Sequence, residues 1–386
     1  MPKRGTSKVA KVGLLLSEKT EYGRGVLRGI ADFAKDHPHW RFKVQDPDRR
    51  GLAAMDAWRA DGLIVMLNDK SLAPRLLSMG IPTVTVCILP GAAENLCVQS
   101  DDRMVGRLGA EHLLELRAVT YGFVGLTEGA YVAVRAAAFA DTISQAGRKC
   151  SIFQPLGRVA GAAECRALEK WLLRCPKPLA VMASNDICGR LVLELCRGSG
   201  MQIPSEVAIL GVDNEDPLSR LVWPGLSSIA LATDQIGVRA AELLQRLLGG
   251  LSLPRSSTLL SPLGVVARGS TRQLLPDDPD LAKAIAVIHE SVGRRLSVGD
   301  VLRQVNMSRI SLERRFRRYL DRTPAQEIRR VRIVQARQLL LATNLPLKSI
   351  AERCGFAASS RLIEAFRRES GCTPSAYRVR TARQRK

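Results

Sequence analysis

Two similar segments near the C-terminal end decide the fold of that region: residues 301–307 read VLRQVNM and residues 350–356 read IAERCGF, at an offset of 49. A second match follows each of them at an offset of 50, where FRR at 316–318 corresponds to FRR at 366–368. The offset changes by one residue at the turn between two short helices. Each copy is therefore predicted to be a helix-turn-helix unit.

The second helix of the first copy is predicted to have one buried face. Leu312, Phe316 and Leu320 are spaced four residues apart, so they lie on the same side of a helix. After it, residues 323–326 (TPAQ) form a capping box with proline at the first helical position. We expect a helix from there to about Leu341 that holds the two units in successive major grooves of DNA, roughly 34 Å apart.

The distribution of charge also indicates a nucleic-acid partner. Residues 281–386 contain 24 Lys and Arg, 21 of them Arg, against 8 Asp and Glu, a balance of +16. This leaves +5 of the overall +21 for the first 280 residues. Arginine can form paired hydrogen bonds with phosphates and guanine edges. Double-stranded DNA is therefore the expected partner of this part of the chain.

The region before residue 268 has a different pattern, in which short apolar runs alternate with helical stretches. Continuously apolar runs separated by helices predict parallel sheets covered on both faces. About 260 residues of this pattern could form one barrel or two doubly wound lobes. The apolar runs are residues 12–16, 63–67, 83–88, 121–125, 179–183 and 207–212, and the helical stretches are 22–35, 103–116, 131–146, 186–198 and 234–248.

Three parts of the chain follow from these patterns. Residues 9–268 are predicted to form a ligand-binding domain, and residues 281–386 an all-helical DNA-binding domain. Residues 269–280 are polar, with two prolines and three aspartates, and are predicted to be a linker.

Other classes of protein are less compatible with the sequence. Residues 23–29 (GRGVLRG), followed by Asp46, suggest a nucleotide-dependent enzyme, but the third glycine of a dinucleotide-binding turn is displaced by one position. We interpret these glycines as allowing a helix to pack closely on its sheet, and we expect no enzyme activity. Nine cysteines without a CxxC pair and four scattered histidines predict no metal site and no cofactor.

The first residues are basic, but the apolar run behind them is short and ends at Glu18. This pattern does not fit an export signal or a membrane span, so the protein is expected to be cytoplasmic.

The C-terminal repeat strongly resembles the DNA-binding domain of the AraC/XylS family. The resemblance is carried by Met307-Ser308, Gly355-Phe356, residues 365–368 (AFRR) and residues 373–378 (TPSAYR). One departure is Arg361-Leu362, where an aromatic pair is usual, so the second reading helix is expected to have its own sequence preference. By position, the resemblance implies base-facing roles for Arg309, Ile310, Glu313, Arg314, Ser359, Ser360, Arg361 and Glu364.

The first 270 residues resemble the sensor domain of LacI/GalR regulators, relatives of periplasmic sugar-binding proteins. The matching segments are residues 184–186 (SND) with Gly189, residues 209–214 (ILGVDN), and Arg135 in a YxxxRxxxF helix start. No helix-turn-helix pattern precedes Val9 in this sequence. The combination resembles the XylR-like regulators of xylose operons. One departure is Tyr131, where those regulators often have tryptophan. The resemblance implies a two-lobed α/β sensor with parallel, Rossmann-like sheets, controlled by xylose or a related monosaccharide.

Four residues are candidates for contacting the sugar. Arg135, Asn185 and Asp213 fall at strand ends or at the helix starts after them, where open α/β sheets bind ligands. Tyr22 is expected to reach the sugar from the opposite lobe. Each also has a structural interpretation: a surface ion pair for Arg135, a helix cap or turn for Asn185 and Asp213, and core packing for Tyr22.

The resemblance also implies partners beyond DNA and the sugar effector, namely RNA polymerase and a second copy of the chain in a homodimer. Two alternatives remain open at this point. The chain could be an AraC-type regulator that senses a non-sugar ligand, or a nucleotide-dependent enzyme with an accessory DNA-binding tail.

We predict that DNA binding resides in residues 281–386 and weakens steeply with salt. Each neutralised phosphate releases a counterion and contributes about −0.9 to the slope of log affinity against log salt concentration. Fluorescence anisotropy with this fragment and with the full chain, between low and moderate salt, measures that slope. Affinity that stays flat over this range would contradict the prediction.

Overall fold

The structure is a computed structural model of the 386-residue chain, which divides into two compact units, residues 1–271 and 272–386. The residues that the structure describes are 9–66, 69–87, 96–125, 129–153, 161–253, 257–271, 278–291, 293–320, 322–343, 345–370 and 372–383.

The first unit alternates strands with helices, as the sequence pattern predicts. Its strands are β1 (Ala10–Leu15), β2 (Trp40–Gln45), β3 (Gly62–Val65), β4 (Thr83–Thr85), β5 (Leu96–Ser100), β6 (Thr120–Val124), β7 (Cys150–Phe153), β8 (Leu179–Ala183), β9 (Val207–Val212), β10 (Ser227–Ala230), β11 (Ser257–Leu260) and β12 (Gly264–Val266). Its α-helices are α1 (Glu21–Ala34), α2 (Arg49–Trp58), α3 (Ala73–Ser78), α4 (Asp102–Leu114), α5 (Ala130–Gln145), α6 (Ala162–Arg174), α7 (Asp186–Gly198), α8 (Asp216–Leu221) and α9 (Thr233–Leu248). Each of the six apolar runs overlaps a strand.

These elements form two lobes, each built on one sheet. The first sheet has the strand order β11-β5-β4-β3-β1-β2 and is parallel throughout its described pairs. The second has the order β12-β10-β9-β8-β6-β7 and is parallel except where β12 runs antiparallel to β10. Of the two open architectures, the two doubly wound lobes are the one observed.

The chain passes between the lobes more than once. It leaves the first sheet after β5 to form α4 in the second lobe, and it returns after β10 to form α9 on the first. Then β11 pairs in the first sheet and β12 in the second. Because the connecting segments follow strand ends, they bring residues of both lobes to a shared cleft.

The glycines of residues 23–29 have a packing role, but their partner differs from the one expected. A Cβ atom at Gly29 would lie 1.8 Å from the Asp234 carbonyl oxygen, and one at Gly237 would lie 2.1 Å from the Val26 carbonyl oxygen. These glycines therefore let α1 and α9 touch backbone to backbone. The prediction that they pack a helix on its sheet is wrong in that respect, because their contact is with a second helix.

In the second unit, every element within the described residues is a helix. The helices are α10 (Pro279–Glu290), α11 (Val298–Leu302), α12 (Arg309–Leu320), α13 (Pro324–Ala342), α14 (Leu347–Arg353), α15 (Ser359–Ser370) and α16 (Pro374–Arg383). The two helix-turn-helix units are α11–α12 and α14–α15. The capping box that begins α13 is confirmed, since Thr323 and Gln326 exchange both hydrogen bonds.

Helix α13 contributes to the hydrophobic cores of both helix-turn-helix units. Ile328, near its start, packs in a core with Leu312 and Phe316 of α12. Ile333, in its second half, packs in another core that includes Phe366 of α15. Two small cores thus share one helix, which accounts for the length of α13.

Within the second unit, a tight contact also joins the turn of the second helix-turn-helix to the segment that precedes α11. Gly355 has a φ of +73°, and a Cβ atom there would lie 2.2 Å from the Arg294 carbonyl oxygen. Arg332 of α13 donates to the carbonyl oxygens of Arg294 (3.3 Å) and Leu296 (2.9 Å), and its guanidinium lies 5.7 Å from the centre of the Phe356 ring. Only glycine fits position 355, because the conformation is left-handed and the space is filled.

The segment predicted as a linker is structured at both ends. Gly269–Thr271 form a short 3-10 turn in which Ser270 and Thr271 are buried in the first unit. Helix α10 begins at Pro279, and residues 272–277 lie outside the described residues. Across the described part of the chain, none of the helices has the length and apolar character needed to cross a membrane.

Candidate functional site: the inter-lobe cavity and the exposed helix faces

A cavity lies between the two lobes, at the ends of strands from both sheets. All four sequence-predicted residues, Tyr22, Arg135, Asn185 and Asp213, line it, together with Thr20, Met66, Cys87, Gln99, Ser100, Asp102, Ala130 and Tyr131. The fold therefore brings together side chains that are up to 193 positions apart in the chain, from Thr20 to Asp213.

Arg135 forms a buried ion pair in the wall of the cavity. It is 3% exposed, its Nε donates to Asp102 Oδ1 at 2.8 Å, and its Nη1 donates to the Ser184 carbonyl oxygen at 2.6 Å. Its guanidinium carbon lies 4.6 Å from the centre of the Tyr131 ring. The alternative of a surface ion pair is wrong, because this ion pair is buried, and the paired side chain also lines the cavity.

Asn185 likewise combines a structural contact with a position in the cavity. Its side-chain oxygen accepts from the Cys188 backbone N–H at 2.9 Å and so caps α7. Its Nδ2 donates to the Tyr131 hydroxyl at 3.3 Å. The cap fixes the rotamer of Asn185, so that its amide is held at the cavity wall.

Asp213 lies in a turn of unusual backbone geometry directly after β9. Asp213 and Asn214 have φ values of +105° and +54°, in the region that side chains rarely adopt. Burial raises the pKa of Asp213 to about 8, which Arg135 partly offsets and the carboxylates of Asp186 and Glu215 reinforce. With this pKa, the carboxyl group keeps its proton at neutral pH and can donate a hydrogen bond as well as accept one.

A second buried carboxylate, that of Asp186, stabilises the turn at Asp213 and Asn214. Asp186 accepts from the Glu215 backbone N–H at 2.7 Å and from the Ser228 hydroxyl at 2.6 Å. Ser228 Oγ in turn accepts from the Asn214 backbone N–H at 2.9 Å. Burial raises the pKa of Asp186 to about 6 despite these bonds. Such a network compensates for the strained backbone at Asp213 and Asn214.

Tyr22 reaches the cavity from the first lobe. Its hydroxyl donates to the Val86 carbonyl oxygen at 2.6 Å, and its ring packs against apolar side chains of both lobes. Burial raises the pKa of Tyr22 well above its ordinary value. It is therefore a packing residue that also forms a wall of the cavity.

Gln99, Ser100 and Asp102 line the cavity but were missing from the sequence-based candidates. Gln99 and Ser100 are 9% and 4% exposed, and Gln99 Oε1 and Ser100 Oγ have no hydrogen-bond partner among the described residues. They lie where β5 ends and α4 begins, the same strand-end signal that pointed to Asn185. The signal was missed because β5 reads LCVQS, too short and too polar to identify as a strand from sequence.

Glu215 joins the two lobes at the edge of this region. It is 5% exposed, and its two carboxylate oxygens accept from Arg24 of α1 and Arg190 of α7, each at 2.6 Å. Arg24 belongs to the first lobe, whereas Arg190 belongs to the second. The ion pairs hold α1 against the turn that carries Asp213.

The same turn contacts the segment that leads out of the first unit. Arg268 donates from Nη2 to Asn214 Oδ1 at 2.6 Å and to Asp216 Oδ1 at 2.9 Å, and from Nη1 to the Leu226 carbonyl oxygen at 2.8 Å. Thr271, three residues further, is hydrogen-bonded to Ser227 Oγ at 2.7 Å. The segment that leaves the first unit is therefore hydrogen-bonded to Asn214, the neighbour of the cavity-lining Asp213.

In the second unit, the sequence-predicted base-facing residues occupy the first two turns of α12 and α15. Leu312 and Leu362 of these turns are fully buried, so the opposite face of each helix is turned outward. Two ion pairs link neighbours on that face: Arg309–Glu313 at 3.1 Å and Arg361–Glu364 at 3.4 Å. The exposed members are Arg309, Ile310, Arg314, Ser360, Arg361 and Glu364, whereas Glu313 and Ser359 are half-buried.

Comparison with known proteins matches both units. Residues 110–271 match the model of a periplasmic binding protein-like domain, and residues 301–380 match that of a helix-turn-helix domain. The chain is 26% identical over 379 residues to the xylose operon regulatory protein of Escherichia coli K12, covering 95% of this chain and 96% of the relative. It is 27% identical to the Haemophilus influenzae protein of the same name, covering 97% and 99%.

A solved structure of the xylose-binding transcription activator XylR matches with a TM-score of 0.63 and 25% identity, covering 97% of this chain and 98% of that one. The chain is a XylR-like transcription regulator. The predicted fold class is confirmed: a two-lobed α/β sensor and a helical DNA-binding domain follow each other in the same order.

This XylR-like chain has Tyr131 where the sequence resemblance leads one to expect tryptophan. The Tyr131 hydroxyl accepts the hydrogen bond from Asn185 Nδ2. An indole N–H could only donate, so it could not replace the hydroxyl in this contact. The substitution therefore changes the hydrogen bonding of a cavity residue as well as the shape of the wall.

Proposed function

We propose that a small sugar, xylose or a related monosaccharide, binds in the inter-lobe cavity and thereby controls DNA binding or activation by the second unit. The observation that carries the proposal is the convergence of Tyr22, Arg135, Asn185 and Asp213 on one cavity between two lobes. A ligand bound there touches both lobes and favours their closed arrangement, by as much as its affinity for the two arrangements differs.

The chemistry of the lining favours a polyol. Arg135 supplies donors, Asn185 supplies both donors and an acceptor, and a protonated Asp213 does the same. Gln99 Oε1 and Ser100 Oγ are buried polar atoms without a partner in the part of the chain that the structure describes, and a sugar hydroxyl could satisfy them. A buried site of this kind rejects ligands that lack the matching hydroxyls. The names of the xylose operon relatives favour xylose among the pentoses.

We further propose that α12 and α15 read operator DNA, with Arg309, Ile310, Glu313 and Arg314 in the first helix facing the bases. In the second helix these are Ser359, Ser360, Arg361 and Glu364. Helix-turn-helix proteins contact base edges with the N-terminal residues of their second helix, and these residues lie there.

The remaining parts of the proposal concern the setting of the protein. It acts in the cytoplasm, recruits RNA polymerase, requires no cofactor and catalyses no reaction. The relatives named above are regulators of transcription, in keeping with a chain that binds ligands without transforming them.

A thermal-shift screen tests the sugar proposal. A ligand at 100 times its dissociation constant stabilises the folded state by about 2.7 kcal/mol. D-xylose, other pentoses and hexoses are compared at equal concentration, together with non-sugar metabolites. Stabilisation by non-sugar compounds alone would favour the AraC-type regulator of a different ligand class.

Removing Arg135 should abolish the sugar response while leaving basal DNA affinity nearly intact. Because Arg135→Ala alone would leave Asp102 buried without its partner, the variant combines Arg135→Met with Asp102→Asn. We expect sugar affinity to fall at least tenfold, since hydrogen bonds to a charged group contribute about 1.5–3 kcal/mol. Calorimetry measures this loss, with Arg239→Ala, a half-buried arginine of α9 that does not line the cavity, as the control. Unchanged sugar binding would show that the pocket is elsewhere.

The contact between Asn214 and Arg268 should carry the response out of the sensor. Asn214→Gly tolerates the positive φ but removes the acceptor of Arg268, so both binding reactions should survive. We expect sugar affinity and sugar-free DNA affinity to stay within about twofold, while the change in DNA affinity caused by sugar decreases. Anisotropy titrations with and without sugar measure this change in DNA affinity. Asp216→Ala, which removes another acceptor of Arg268, is measured in parallel as the matched variant. A full response in Asn214→Gly would count against this route.

We propose that the protein works as a homodimer on two half-sites. LacI-like sensors pair through their sensor domains, and Leu221 and Trp223, at the end of α8, are 79% and 78% exposed. Leu221→Asp should raise the dimer dissociation constant at least tenfold by light scattering, whereas Leu251→Asp, at another exposed site, should not. A monomer at micromolar concentration, with and without DNA, would refute the dimer.

A further inference from the structure

Ile310 is an anomaly on the surface of the second unit. Its side chain is 80% exposed, in the first turn of α12. Among the side chains of this unit that the structure describes, no other large apolar residue is comparably exposed. An aliphatic side chain that stays exposed to water contributes no hydrophobic stabilisation to folding, and a β-branched residue is not a favoured helix former. Neither folding nor helix propensity therefore explains an isoleucine at this position.

The residues around Ile310 place it on the face that points away from the core. Leu312 and Phe316 on the opposite side are fully buried. Arg309 and Arg314 flank it on the outward face, and Arg309 is held along the helix by its ion pair with Glu313 at 3.1 Å. An apolar group thus stands among cations that attract phosphates, which is the setting of a group that enters a DNA groove.

The second reading helix lacks this feature. At the offset of 50 residues that relates the two copies, Ile310 corresponds to Ser360, which is exposed and polar. The apolar side chain is therefore a property of the first helix alone, and the two readers differ in the chemistry that they present.

The major groove offers few apolar groups to such a side chain. Its edges carry hydrogen-bond donors and acceptors, and the C5-methyl group of thymine is the apolar group by which a T·A pair is recognised. We infer that Ile310 contacts the C5-methyl group of a thymine and makes the first reader selective for thymine at one position of its half-site. The inference rests on the proposed role of α12 in reading DNA, and it names the base and the atom that are read.

The test replaces thymine by uracil, which removes the methyl group and leaves the Watson–Crick edge unchanged. A binding site is first selected from random duplexes with the full-length protein, and each thymine is then replaced singly by uracil. At one thymine, the substitution should weaken wild-type binding about fourfold, the factor for burial of one methyl group. Ile310→Ala should bind the thymine and uracil duplexes equally well at that position, whereas Ser360→Ala should keep the wild-type difference.

The outcomes separate this inference from the proposed function on which it rests. Selection that yields no preferred sequence would remove the role of α12 in reading DNA. Specific binding that is insensitive to uracil at every position would overturn the methyl contact alone. A uracil effect that persists in Ile310→Ala would also overturn it, because another residue would then read the methyl group.

Discussion

The buried ion pair between Arg135 and Asp102 is the contact on which the sensor depends most directly. Asp102 is the first residue of α4, where the chain has just left the first sheet, and Arg135 belongs to α5 of the second lobe. Removing both charges from water is costly, and a buried pair recovers that cost only when its geometry is good and its remaining donors are satisfied. Here the Ser184 carbonyl oxygen and the Tyr131 ring complete the environment of the guanidinium. The pair thus fixes the crossing point between the lobes and one wall of the cavity together.

The other residues of the cavity wall also combine a structural role with a position in the site. Asn185 caps α7 and faces the cavity, while Tyr22 packs between lobes and closes the cavity from the opposite side. The turn at Asp213 and Asn214 is held by Asp186 and Ser228 on one side and by Arg268 on the other. A ligand that contacts Asp213 would therefore act on a turn that is already bonded to the exit of the domain.

In the second unit, two small helical cores are held in a fixed arrangement relative to each other. Helix α13 contributes side chains to both cores, and a Cβ atom at Gly355 would lie 2.2 Å from the carbonyl oxygen of Arg294, which precedes α11. Each core alone is small, and small cores are marginally stable. The shared helix and this backbone contact join the two cores, while the outward faces of α12 and α15 remain on the surface.

The sequence by itself determined the order of the domains, the repeated helix-turn-helix units, the capping box before α13 and the parallel α/β character of the sensor. These features are local or periodic, so apolar spacing and cap chemistry express them directly. It also indicated Arg135, Asn185 and Asp213, because polar residues at strand ends gather at one edge of a sheet. Only the tertiary structure decided that the lobes are two, that the glycines of α1 contact α9, and that Gln99, Ser100 and Asp102 share the cavity with Tyr22. Those facts depend on contacts between residues far apart in the chain. Strands as short as β5 also show too little periodicity to be predicted from the sequence.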